Sequence, residues 1–293
     1  MKVLGKKIRE RRKEKKLSQI GLAEGICTQA TVSKIENKNR CESLDVFSSI
    51  CSKLGLSVFE CLEETYEQEI DRILTNVEYL CEQVRHREAY ELIYQYNLEG
   101  KFISQTTKIK FLYYRGLTSL LGKSKYEEAK KYLSQGVNIE KQLNIYNILS
   151  MNAIGILYQL QENWQQAKVY NEKAYKMVLD FPDDELPAIA CKLFYNLAKY
   201  YSAVRDYERS IFLCDEGIRL SKKEHTIFGL DVLLYEKAYN EFYLYGTTES
   251  YKFAYYFSEF ANREGMKKFL EKEFKKYNIE LERQVYYYHS TCY

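Results

Sequence analysis

Proline is almost missing from this chain: two residues, Pro182 and Pro187, in 293, with 13 glycines. Both residue types interrupt helices, so their scarcity predicts long helices with few breaks and argues against a loop-rich or disordered chain. No run of about 18 apolar residues occurs, which excludes a transmembrane helix. The basic N-terminus, residues 1–16, has no apolar stretch behind it and is not read as a secretory signal. The eight cysteines form no CxxC pair and have no histidine at metal-ligand spacing, so free thiols in a reducing cytoplasm are expected and no metal site. The three histidines, His86, His225 and His289, are scattered, and no phosphate-cradling loop, nucleophile elbow or zinc spacing appears. The chain is therefore not read as an enzyme, and no cofactor is expected.

Charge and tyrosine are unevenly placed. Residues 1–40 hold 12 Lys/Arg against 4 Asp/Glu, a balance of +8, whereas residues 41–293 hold 32 against 37, a balance of −5. A basic head on an acidic body predicts a polyanionic partner for the head alone. All 29 tyrosines and the single tryptophan, Trp164, lie from Tyr66 onward. That break sets the expected domains at 1–65 and 66–293.

In the head, residues 3–16 read as a helix with Leu4 and Ile8 on a core face. Ser18 caps the next helix, which turns Leu22 and Ala23 inward, and Gly25 to Cys27 form a turn. Thr28 caps a third helix from Gln29 to about Asn37, with Val32 and Ile35 facing the core. Ser43 caps a fourth, with Leu44, Phe47, Ile50, Cys51 and Leu54 at helical spacing and Gly55 at its end; Val58, Phe59 and Leu62 begin a fifth.

The run Leu17-Ser18-Gln19, Leu22-Ala23-Glu24 and Val32 to Asn37 resembles the Cro/C1-type (XRE) helix-turn-helix domain, with a shorter turn than the commonest pattern. The resemblance implies that the helix from Gln29 enters the DNA major groove. Gln29 would pair with adenine, Thr31 with a base edge or thymine methyl, and Lys34 with guanine or phosphate, while Ala30 offers only a methyl. Gln19, Ser33, Asn37, Lys38 and Arg40 would hold phosphates beside the capping Thr28.

In the body, residues 112–137, 151–175 and 193–218 align. Each has a small residue in its first helix (Gly116 or Leu117, Gly155, Ala198) and an aromatic at the turn (Tyr126, Trp164, Tyr207). Small residues follow at Ala129, Ala167 and Ser210, then at Gly136, Ala174 and Gly217. This resembles the tetratricopeptide repeat (TPR), although the spacings of 38 and 43 exceed that repeat's 34. Looser pairs are expected over 67–99 and 227–262, with a capping helix from about Glu264 to Arg283. The expected fold class is all-α: a five-helix head and a TPR-like α-solenoid of about five helix pairs. A TPR groove suits an extended or helical peptide. On that scheme Tyr114, Thr118, Asn152, Ile156, Gln159, Tyr195, Asn196, Lys199, Tyr235 and Tyr239 point into it. Asn152, Asn196 and Asn240 would grip a peptide backbone, and Lys199 a carboxylate.

A helix-turn-helix head on a degenerate TPR body resembles the RNPP family of Gram-positive peptide-pheromone receptors, most of all its PlcR-type branch. The resemblance implies a cytoplasmic homodimeric regulator, usually an activator, on a near-palindromic double-stranded operator. A short signalling peptide in the groove would control it, with movement passing through a helical linker near Glu63 to Glu69. Control by a protein partner, or a TPR scaffold with a vestigial head, are the alternatives.

Overall fold

The computed structural model describes residues 1–138 and 143–281. They contain fifteen α-helices and no β-strand, and divide into two compact units, the first Met1–Arg72 and the second from Ile73 onward. The expected tail at Val285–Tyr293, with His289 and Cys292, lies outside the described residues. The seven cysteines inside them are free thiols.

The first unit holds α1 (Gly5–Glu14), α2 (Gln19–Ala23), α3 (Gln29–Lys38) and α4 (Leu44–Leu54). All three expected caps form: the side chains of Ser18, Thr28 and Ser43 accept from the backbone N–H of Gly21, Thr31 and Val46. Ile8, Leu22, Val32, Ile35, Phe47, Ile50, Cys51 and Leu54 are wholly buried in one core, each large apolar side chain contributing about 1.5–3 kcal/mol. Two expectations fail at the edges. Leu4 is exposed and Val3 is buried in its place, because the first residues run extended, Lys2 beside Arg40 and Val3 beside Leu62. The fifth helix is only a 3-10 turn, Phe59–Cys61, which buries Cys61 and leaves Phe59 in solvent.

α5 (Tyr66–Glu82) spans the division between the units. The second unit continues with α6 (His86–Tyr94), α7 (Gln105–Lys123), α8 (Tyr126–Val137), α9 (Ile145–Leu160), α10 (Trp164–Leu179), α11 (Ala190–Ala203), α12 (Tyr207–Lys223), α13 (Leu230–Tyr245), α14 (Glu249–Phe260) and α15 (Glu264–Tyr277). The first helices of successive pairs, α7, α9, α11 and α13, touch one another in a row, each also packed on its own second helix. The small residues make this stacking possible. A Cβ on Gly116 would lie 2.5 Å from Leu133, one on Gly155 2.8 Å from Asn171, and one on Gly217 2.8 Å from Leu233. Ala129, Ala167 and Ser210 are fully buried. Trp164, the aromatic at the second turn, remains 46% exposed. α15 stops at Tyr277, short of the expected Arg283, because Asn278 turns left-handed with φ +53°.

One turn recurs: Val84, Ser124, Glu162 and Arg205, inside four of the pairs, and Asn262, between α14 and α15, all have positive φ two residues before the next helix, whereas Gly246 supplies the positive φ between α13 and α14. Val84 is the strained member, since a β-branched side chain tolerates that region poorly. It is 77% exposed, so a glycine there loses little buried surface. Val84→Gly is expected to raise the unfolding free energy by about 0.5–1 kcal/mol, read as a higher urea midpoint.

Candidate DNA-reading surface and ligand cavity

α3 is held from behind by a buried ion pair. Arg12, on α1, donates from Nε to Glu36 Oε1 at 2.5 Å and from Nη2 to Oε2 at 2.9 Å, and the Glu36 side chain has no exposed surface. Burial pushes the Glu36 carboxyl up, but the hydrogen bonds from Arg12 and Gln19 and the Arg12 charge outweigh it and hold it below its ordinary value. Nη1 of Arg12 also donates to the Leu17 carbonyl at 2.7 Å, tying α1 to the entry of α2. The sequence reading missed both residues, because a charge on a helix is normally solvated.

The pair continues outward to the surface. Gln19 donates to Glu36 Oε2 at 2.9 Å and accepts from Gln29 Nε2 at 2.7 Å. The Gln19 amide, expected to hold a phosphate, is therefore engaged in orienting Gln29. Gln29 and Ala30 are exposed at the start of α3 and Thr31 is half-buried. Thr28 is exposed and its hydroxyl lies 3.0 Å from that of Thr31. Asn37 donates to Ser33 at 3.2 Å, Lys34 pairs with Glu42 at 2.5 Å, and Lys38 and Arg40 stand in solvent. Lys34 and Glu42 are both exposed, so a phosphate or base edge can displace that pairing. Asn39, unforeseen, ends α3 with φ +52° and accepts from the Gly5 N–H at 3.0 Å. Among the described residues, then, the ten expected DNA contacts fall on α3, its flanks and the start of α2.

The ten expected groove residues separate into two sets. Tyr114, Thr118 and Asn152 are buried, contrary to the groove scheme, because α7 and α9 are covered by helices on several sides. The Thr118 hydroxyl donates to the Tyr114 carbonyl at 2.7 Å. Asn152 joins an amide chain across three helices, donating to Asn171 and accepting from Asn196, both at 3.0 Å. Asn240, also expected to grip a peptide, is buried and donates to the Glu236 carbonyl at 2.6 Å. Ile156 and Gln159 are half-buried and line no cavity described here.

Tyr195, Lys199, Tyr235 and Tyr239, in contrast, converge on an open cavity of about 460 Å³ between α11, α13 and α15, lined on the α15 side by Met266 and Phe269. Tyr235 packs edge-on to Phe269 at 4.9 Å, and the Lys199 ammonium lies 5.7 Å from the Tyr195 ring. Glu236, unforeseen, lines the wall; burial pushes its carboxyl up, against the hydrogen bonds of Asn240 and Ser202 and the charge of Lys199. Aromatic walls with one cation and one carboxyl suit a short peptide better than a uniformly apolar or anionic ligand.

α11 has a second set of partners. Lys192 lies 4.0 Å from Glu82 of α5 and 4.9 Å from the Phe228 ring, while Glu78 of α5 pairs with Lys110 of α7 at 3.0 Å. Burial pushes the Lys192 ammonium down in spite of Glu82 and Glu78, and burial with the Lys192 charge pushes His86 down as well.

Residues 8–61 match the family model described as Helix-turn-helix. No curated protein matches the chain. Among solved structures, Bacillus thuringiensis PlcR in complex with the peptide PapR7 and DNA is 22% identical, with a TM-score of 0.59, covering 92% of this chain and 99% of that one. PlcR in its apo form gives 19% and 0.62, covering 91% and 98%. The apo form of the competence regulator ComR from Streptococcus vestibularis gives 19% and 0.56, covering 94% and 98%. The chain thus has a helix-turn-helix domain and shares the fold of these regulators. No helix of the described residues is long and apolar enough to cross a membrane.

Proposed function

We propose that this chain is a DNA-binding transcriptional regulator, an activator of the RNPP type, that works as a homodimer and answers a short signalling peptide. The observation that carries the reading is the exposed start of α3, where Gln29 is aimed through Gln19 by the buried Glu36–Arg12 pair. Such bracing matters for a helix that must present side chains to base edges in fixed register. It also speaks against a vestigial head, which has no need of an oriented surface glutamine. PlcR, solved with PapR7 and DNA, has both partners on a shared architecture.

The cavity between α11, α13 and α15 is the proposed peptide site, with Lys199 holding a carboxylate. Two heads on a near-palindrome would set their α3 helices about 34 Å apart. The peptide controls this only if it binds one arrangement of the dimer more tightly than another.

The test begins with an operator selected from random duplexes by the full chain. Gln29→Ala with Lys34→Ala is expected to weaken specific binding at least about tenfold, each base contact being worth roughly 1–3 kcal/mol, and wild-type affinity falls steeply with salt. Unchanged anisotropy titrations for the double variant would remove α3 from the interface. Calorimetry against short peptides from the host's secreted products tests the second half. Lys199→Glu is expected to weaken the best peptide about tenfold or more; equal affinity places the peptide elsewhere.

A further inference from the structure

A second cavity, of about 840 Å³, lies between the end of α6, the 95–104 connection, α7 and α8. It shares no residue with the α3 surface or with the cavity beside α11. Its lining carries four cations, Lys101, Lys108, Arg115 and Lys131, against one carboxylate, Glu99. That local excess stands out against residues 66–293 as a whole, which hold 31 Lys/Arg against 32 Asp/Glu. Lys108 and Lys131 form no ion pair with the described residues; the Lys131 ammonium lies 5.9 Å from the Tyr132 ring. Gly100, at φ +68°, has open space where a side chain would stand.

Arg115 is the built part of the site. It is 7% exposed, and its guanidinium sits 4.5 Å from the Tyr94 ring and 5.3 Å from the Tyr132 ring. Nη1 ties down the end of α6 by donating to the Ile93 carbonyl at 2.8 Å. Nε is buried and has no hydrogen-bond partner, with Glu128 3.9 Å away. Glu128 does not line the cavity, so Nε is turned toward a carboxylate outside it, and what Arg115 offers the cavity is a positive charge held in place.

We propose that this cavity binds a small phosphorylated ligand carrying a planar ring, of the nucleotide class. Phosphate oxygens are the acceptors that match a guanidinium flanked by ammonium groups. The rings of Tyr94, Tyr96 and Tyr132 line the same space and offer a stacking face for a base. The volume falls in the range of small-molecule sites, and its cations converge on one pocket rather than forming the extended track a polynucleotide needs.

Calorimetry on the full chain with ATP, GTP, adenosine and inorganic pyrophosphate tests this. A triphosphate is expected to bind at micromolar concentration, with adenosine and pyrophosphate each weaker by about tenfold or more. Lys108→Ala with Lys131→Ala is expected to weaken the triphosphate about tenfold while leaving the thermal midpoint unchanged. Tyr132→Leu weakens the nucleotide more than pyrophosphate. Lys34→Ala with Arg40→Ala, in the basic head, leaves binding unchanged. No heat from either triphosphate at millimolar concentration overturns the proposal. So does pyrophosphate binding as tightly as the triphosphates, or a loss that follows the head variant instead of the cavity variant.

Discussion

Glu36→Ala is expected to destabilise the first unit by about 3–5 kcal/mol, the usual result of removing one partner from a buried ion pair. The change strands the Arg12 guanidinium, whose side chain is only 10% exposed, and takes the acceptor from Gln19. Small domains are stable by roughly 5–15 kcal/mol in total, so the unit would be largely unfolded at temperatures the wild type tolerates. Circular dichroism melts of the full chain, with hydrogen exchange to locate the loss in α1 to α4, measure it. A midpoint within a degree or two of wild type would mean that the pair contributes little.

Acid acts on the same group with a definite sign. The Glu36 carboxyl is held below its ordinary 4.5, so its stabilising contribution is complete above that pH and is lost as pH falls through the lower folded value. Arg12→Met with Glu36→Leu separates stability from function. An apolar pair of similar volume recovers most of the lost stability, yet Gln29 is left without its brace and operator affinity stays low.

Gly122→Val should be the most damaging single change in the second unit, at about 3 kcal/mol, the upper end of ordinary overpacking. A Cβ there would meet the His86 carbonyl oxygen at 2.4 Å, its carbon at 2.8 Å and the Arg87 Cα at 3.2 Å. All three are backbone atoms, so no rotamer change relieves the clash and the start of α6 must leave α7. Gly265→Ala is the control. Nothing lies within 4 Å of its Cβ, and at this second residue of α15 alanine is expected to gain about 0.4–1 kcal/mol by restricting the unfolded chain. Urea midpoints that move in opposite directions for the two variants are the expected result.

The contrast between these residues explains what sequence could and could not disclose. Val32, Ile35 and Phe47 follow a helical period, and their burial is legible because an apolar side chain seldom gains from exposure in a small core. Arg12 and Glu36 sit at the same spacing but are charged. Their pairing depends on how α1 crosses α3, which no local pattern records. Leu4 and Val3 exchanged places for a similar reason: the choice rests on the extended entry of the chain beside Arg40 and Leu62. In the second unit the small residues marked where helices approach, but not which face of a helix remains open. Tyr114 and Thr118 were placed in a groove by analogy with a regular repeat, yet α7 is enclosed by α6, α8 and α9. Farther along, Tyr195, Lys199, Tyr235 and Tyr239 do reach open space, where α11, α13 and α15 line a cavity. Glu236 escaped notice for the same reason as Glu36.

The two sets of partners on α11 have a thermodynamic consequence. Lys192 and Lys199 are two turns apart on one rigid helix, roughly 10 Å along its axis; one is held by Glu82 of α5 and the other opens into the cavity. A ligand that displaces α11 on binding Lys199 must therefore work against, or be helped by, the tie to α5. Coupling of this kind is reciprocal: whatever factor the ligand imposes on the α5–α11 contact, that contact imposes on the ligand's affinity. Glu82 would then tune the sensitivity of a cavity it never touches.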